Sequence, residues 1–132
     1  MPLDVVADER RRWIVVRATG SVTLPEILAL IPTVRARIDH RMWPLLFDAR
    51  SATTAATEED VHAAVAVLQR VDREQGPRGH AALVADDDVL YARMLLYEAR
   101  SAQIGIRTVR VFRALEDAER WLAIVSAARH FG

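Results

Sequence analysis

The sequence has no cysteine and no lysine, and both absences exclude chemistry. Without cysteine there are no disulfides, no thiolate nucleophiles and no cysteine-ligated metals, and a reducing cytoplasm is the expected compartment. Without lysine there is no Schiff-base catalysis and no P-loop lysine to cradle phosphate. All 18 basic residues are therefore arginine, and 18 acids balance them to a formal net charge of zero. The arginines are interleaved with acids rather than gathered on one face, so no nucleic-acid partner is expected. Hydrophobic residues make up 52% of the chain, yet charges interrupt them every few positions. No run approaches the roughly 18 apolar residues that span a bilayer. At the amino terminus Asp4 lies inside the first apolar stretch and the arginines follow it, the reverse of a secretory signal.

A chain of 132 residues suffices for one domain with one core, and no linker or repeat divides residues 1–132. Apolar runs near Val5 and from Trp13 to Ala18 flank the polar "ADERRR" and predict an antiparallel hairpin, its second strand stopping at Gly20. In "TLPEILALIPTVRARID" Thr23 and Glu26 have capping-box spacing, and Ile27, Leu28, Ile31, Val34 and Ile38 share one side of a helix that Pro32 should kink. "PLLFDA" predicts a short buried strand. "TEEDVHAAVAVLQRVDREQG" predicts an amphipathic helix with Val61, Ala64, Val65, Leu68 and Val71 inward. A strand "HAALVA", a helix from about Val89 to Ile104, a strand "RTVRVF" and a helix through "LEDAERWLAIVSAA" complete the order β-β-α-β-α-β-α-β-α. The fold class is α/β: a single mixed, mostly parallel five-stranded sheet with about four helices.

Few residues suggest chemistry. Asp48 and Arg50 are expected at the carboxyl end of a central strand, where open α/β sheets bind ligands, although a local Asp–Arg pair or a capped loop accounts for them better. Thr57 has the place of an N-cap bonding near Asp60. Asp86, Asp87 and Asp88 open a helix, where capping and the helix dipole attract acids, and no metal site is expected. His40, His62, His80 and His130 lack metal-binding spacing and read as surface residues, and no serine lies in a GxSxG elbow. No cofactor is implied. The third helix carries two apolar stripes, Leu90, Met94, Tyr97 and Ile104 on one side and Tyr91, Leu95, Ala99 and Ala102 on another. One can face the sheet, and the other needs cover from a helix, a second subunit or an apolar ligand.

The element order, with "VVRATGSVTLPEI", "LLFDAR", "AALVADDD" before a helix carrying "ARM", and "VRVFRALEDAERWL", resembles the SpoIIAA-like family of the wider STAS group. The resemblance implies a small, non-enzymatic interaction or regulatory domain. In the related anti-sigma-factor antagonists a serine after the third strand accepts phosphate, which makes Thr57 the corresponding candidate phospho-acceptor. Here "ATEE" replaces the antagonists' Asp-Ser-Ser-Gly, and Glu58, Glu59 and Asp60 would repel a phosphate on Thr57. The expectation is a binding module acting through a homodimer or protein partner, with Asp48, Arg50, Tyr91, Met94, Leu95 and Tyr97 as candidate contacts. The alternative is a carrier or sensor of a small apolar ligand, with Tyr91, Met94, Leu95 and Tyr97 near its pocket.

Overall fold

A computed structural model of the chain describes residues 3–35, 42–76 and 79–131. The elements follow the expected order: β1 (Leu3–Asp8), β2 (Trp13–Val22), α1 (Leu24–Arg35), β3 (Leu45–Thr54), α2 (Glu58–Gln75), β4 (Ala81–Ala85), α3 (Asp88–Gln103), β5 (Val109–Phe112) and α4 (Leu115–Phe131). The strands lie in sequence order, β1-β2-β3-β4-β5. β1 pairs antiparallel with β2 and all later pairs are parallel. This is the mixed, mostly parallel sheet that alternating strands and helices dictate.

Alternation along the strands separates two cores. Ile14, Val16, Leu45, Phe47, Ala81, Ala85, Val109 and Val111 face α1 and α3, with Leu90 and Met94 packed onto them. Trp13, Val15, Leu46, Ala82 and Val84 face the opposite way and meet Ala118 and Leu122 of α4. α2 lies outside α1, where Leu68 and Val71 pack on Ile31. The inward face of α2 is Val61, Ala64, Val65, Leu68 and Val71, the set that its helical spacing marks. Trp121 lies on the same face of α4 as Ala118 and Leu122, yet is only partly buried and sits edge-on to His80 at 5.4 Å. His80 is thereby part of the packing rather than a free surface group.

Two strands run further than expected. β2 passes through Gly20, whose φ of +68° a glycine adopts without strain, and continues to Val22. β3 continues through the Ser-Ala-Thr-Thr stretch to Thr54, because residues 51–54 pair with 19–22 of β2. Between them is a β-bulge: Asp48 faces Arg17 and Ser51 faces Thr19, so Ala49 and Arg50 together oppose Ala18. Ala49 and Ala52 both point toward the α1–α3 side, three positions apart, while Arg50 and Ser51 stay exposed. α1 holds Pro32 within it, and the expected continuation through Ile38 lies outside the described residues.

Candidate ligand-binding cavity

The three helices on one side of the sheet do not close completely over it. A cavity of about 130 Å³ remains, walled by Ile27, Leu30, Ile31 and Val34 of α1, Leu45, Phe47 and Thr54 of β3, Asp60, Val61 and Ala64 of α2, Leu83 of β4, and Leu90, Arg93, Met94 and Tyr97 of α3. Each helix contributes the face that its apolar periodicity predicts, so the hollow is built from core-type residues. Small side chains at Ala56 and Ala64 leave part of the space unfilled.

The polar groups on this wall are mostly committed to the chain itself. Thr23 Oγ1 donates to Glu26 Oε1 at 2.8 Å and Glu26 in turn accepts from the Thr23 backbone N–H at 2.9 Å, closing the capping box of α1. Thr54 Oγ1 donates to the Val22 carbonyl at 2.9 Å and accepts from the Ala56 N–H at 3.1 Å. Asp60 Oδ2 accepts from the Thr57 N–H at 2.9 Å while Thr57 Oγ1 accepts from the Asp60 N–H at 3.2 Å. Arg93 donates from Nε to the Ala56 carbonyl at 2.9 Å, and among the described residues it forms no ion pair. Water in such a hollow would find few of the two to four partners it needs.

The structure distributes the sequence candidates unevenly. Met94 and Tyr97 lie on the cavity wall. Tyr91 instead carries the Arg113 guanidinium over its ring at 4.1 Å, and Leu95 is 40% exposed on the outer side of α3. Ile104, grouped with Leu90, Met94 and Tyr97 by spacing, is the exposed C-cap residue of α3.

Asp48 and Arg50 do not occupy a strand end. β3 runs on to Thr54, which puts them in mid-strand at the bulge on the α4 side. They close on each other, Arg50 Nε to Asp48 Oδ1 at 2.9 Å and Nη2 to Oδ2 at 3.0 Å. The Arg50 hydrogen bond holds the Asp48 carboxyl below its usual value against the opposing effect of burial.

Thr57 is the N-cap of α2, in a reciprocal box with Asp60. Asp87 caps α3 by accepting from the Leu90 N–H at 2.9 Å, and Asp88 meets Arg113 Nη2 at 2.6 Å. Among the described residues no group of three or more acids and histidines could hold a metal ion. His62 is exposed, while His40 and the side chain of His130 lie outside the described residues.

Arg93 is not among the sequence candidates and Asp60 enters them only as a capping partner, although both interrupt buried helical faces. Arg93 falls within the i, i+3, i+4, i+7 series Leu90, Arg93, Met94, Tyr97, and Asp60 directly precedes the buried Val61. A charge within an apolar stripe was the available signal.

A SpoIIAA-like family model matches residues 13–123, which covers most of the chain and both walls of the cavity. The chain belongs to the SpoIIAA-like family. Members of this group serve as protein-interaction and regulatory modules. Among solved structures, the chain is similar to an uncharacterised protein with a SpoIIAA-like fold from Shewanella loihica, at 11% identity over 91% of each chain with a TM-score of 0.53. It also aligns with the phosphorylated Bacillus cell-fate determinant SpoIIAA, at 11% identity over 89% of this chain and 97% of that one, with a TM-score of 0.43. No curated protein matches the sequence. At such identity the Shewanella likeness speaks for the fold alone, and the SpoIIAA-like architecture of five strands and four helices agrees with it. No helix among the described residues is long and apolar enough to cross a membrane.

Proposed function

We propose that this SpoIIAA-like domain is a non-catalytic binding module that takes up a small apolar molecule between its sheet and helices α1, α2 and α3. The observation that carries the reading is the cavity of about 130 Å³ with an apolar wall and internally satisfied threonines. An engineered apolar cavity of about 150 Å³ stays dry and accepts benzene, so a body of about six carbons matches the space. Burying six methylene-sized groups gains about 5 kcal/mol at ~0.8 kcal/mol each. A gain of about 5 kcal/mol corresponds to a dissociation constant of roughly 0.2 mM, and association costs weaken it to the millimolar range or beyond. Native mass spectrometry of the protein with a six-carbon probe added at millimolar concentration should show a fraction carrying the probe's mass, which denaturation removes. Protein that binds neither a co-purified molecule nor added six-carbon probes would refute the reading.

A second reading, docking of a protein partner or a second copy of the chain, is favoured by the outer side of α3. Ala92, Leu95 and Ala99 are exposed there at helical spacing, and zero net charge puts little repulsion between copies. Sedimentation should then report a dimer that Leu95→Glu converts to a folded monomer. A wild-type monomer at high concentration would remove the self-association form of this reading. Phosphorylation of Thr57 forms no part of either reading, because its hydroxyl belongs to the α2 capping box beside Glu58 and Glu59.

A further inference from the structure

The cavity wall carries one cation, Arg93, on the buried stripe of α3 between Leu90 and Met94. Its side chain is held in place by the Nε bond to the Ala56 carbonyl at 2.9 Å. That bond leaves the Nη1–Nη2 edge of the guanidinium without a hydrogen-bond or ion-pair partner among the described residues. We propose that the molecule held here is a small monocarboxylate, with a body of about six carbons in the hollow and its carboxylate on the Nη edge of Arg93. The inference rests on the cavity reading above and adds the chemical class of the head group.

A guanidinium offers two parallel N–H groups that fit the two oxygens of a carboxylate, whereas an alcohol of the same length accepts one bond without charge. Arg93 is partly buried, borders an apolar space and has no ion pair among the described residues, so an anionic head gains a charge-assisted contact there that a neutral head does not. The ion pairs that other arginines of this protein make, such as the following three, are absent at Arg93 among the described residues. Arg11 bridges Asp8 and Glu119, Arg50 pairs with Asp48, and Arg113 pairs with Asp88. Asp60, the acid on the same wall, is turned to the Thr57 N–H and makes no ion pair with Arg93. Its repulsion reduces the attraction for an anion without cancelling a two-bond contact.

The test is an NMR titration of the full chain with hexanoate and with 1-hexanol, probes of equal length that differ in the head. Wild-type protein should bind hexanoate about ten-fold more tightly than hexanol, with shifts centred on Phe47, Ala64 and Met94. In Arg93→Met, which keeps the stem, the two affinities should converge, and Arg93→Lys should fall between. Equal binding of both probes by the wild type, or an unchanged preference in Arg93→Met, overturns the carboxylate inference and leaves the cavity reading intact. Binding of neither probe overturns both.

Discussion

The two sides of the sheet solve the same packing problem with different materials. On the α4 side one helix closes the core, and large rings do much of the filling: Trp13 is buried, and Phe112 and Trp121 lie 5.8 Å apart at its margin. On the other side α1 and α3 lie on the sheet while α2 packs across both of them, and small residues such as Ala49, Ala52 and Ala64 line the seams. Three cylinders leave a gap that one cylinder on a twisted sheet does not, unless bulky side chains enter it. A hollow therefore marks where this sequence has withheld volume.

The largest effect is expected from truncation. Leu122 is fully buried against the sheet on the α4 side, so Leu122→Ala should cost about 3 to 5 kcal/mol. Met94 borders the cavity, makes fewer contacts there, and Met94→Ala should cost about 2 kcal/mol, near the lower end of the same range. Urea unfolding of the pair checks this, and equal costs would mean that the two sides are packed alike.

Enlargement should reverse the order. Ala82→Leu on the α4 side has no space to enter and should destabilise by about 1 to 3 kcal/mol. Ala64→Leu projects into the hollow and should leave the melting temperature unchanged or raised while weakening uptake of apolar probes. A strongly destabilised Ala64→Leu would show that the cavity wall cannot accept the volume.

The smallest effect concerns the bulge. The folded Asp48 carboxyl titrates below its unfolded value, chiefly through its hydrogen bond with Arg50. The pair therefore adds stability at pH values above the unfolded carboxylate range near 4, and that stability is lost as pH falls through the lower folded value. Arg50→Ala should shift the Asp48 titration upward in carboxyl-detected NMR and bring acid unfolding to a higher pH. Because Arg50 is largely exposed, the change at neutral pH should be under about 1 kcal/mol. An unmoved Asp48 titration would deny the pair this role.

The order of elements was legible in the sequence because apolar residues recur at 3.6 or 2 positions over most of the chain. The inward face of α2 and the Met94–Tyr97 side of α3 were legible for the same reason. The ends of β2 and β3 were not, since Gly20 and the Ser-Ala-Thr-Thr run carry terminating signals that only mutual pairing of the two strands overrides. Asp48 and Arg50 were consequently placed at a strand end that lies further along. Tyr91 and Leu95 shared a stripe on paper, but Arg113, distant in sequence, covers one and leaves the other. The cavity itself is a property of three helices together, and no single helix announces it.

The extra residue in β3 works as a counter as much as a bend. It changes the parity of every position after Ala49, so that Ala52 and Thr54 turn toward the helices and Thr53 turns away. Removing Arg50 outright would do more than delete a charge. It would also remove the bulge, leaving Ala49 alone opposite Ala18 and Ser51 to Thr54 on the faces and partners they now have. The bulge absorbs one surplus residue, and a flat strand that kept Arg50 would shift the reading frame of everything after it, turning Thr54 away from the hollow.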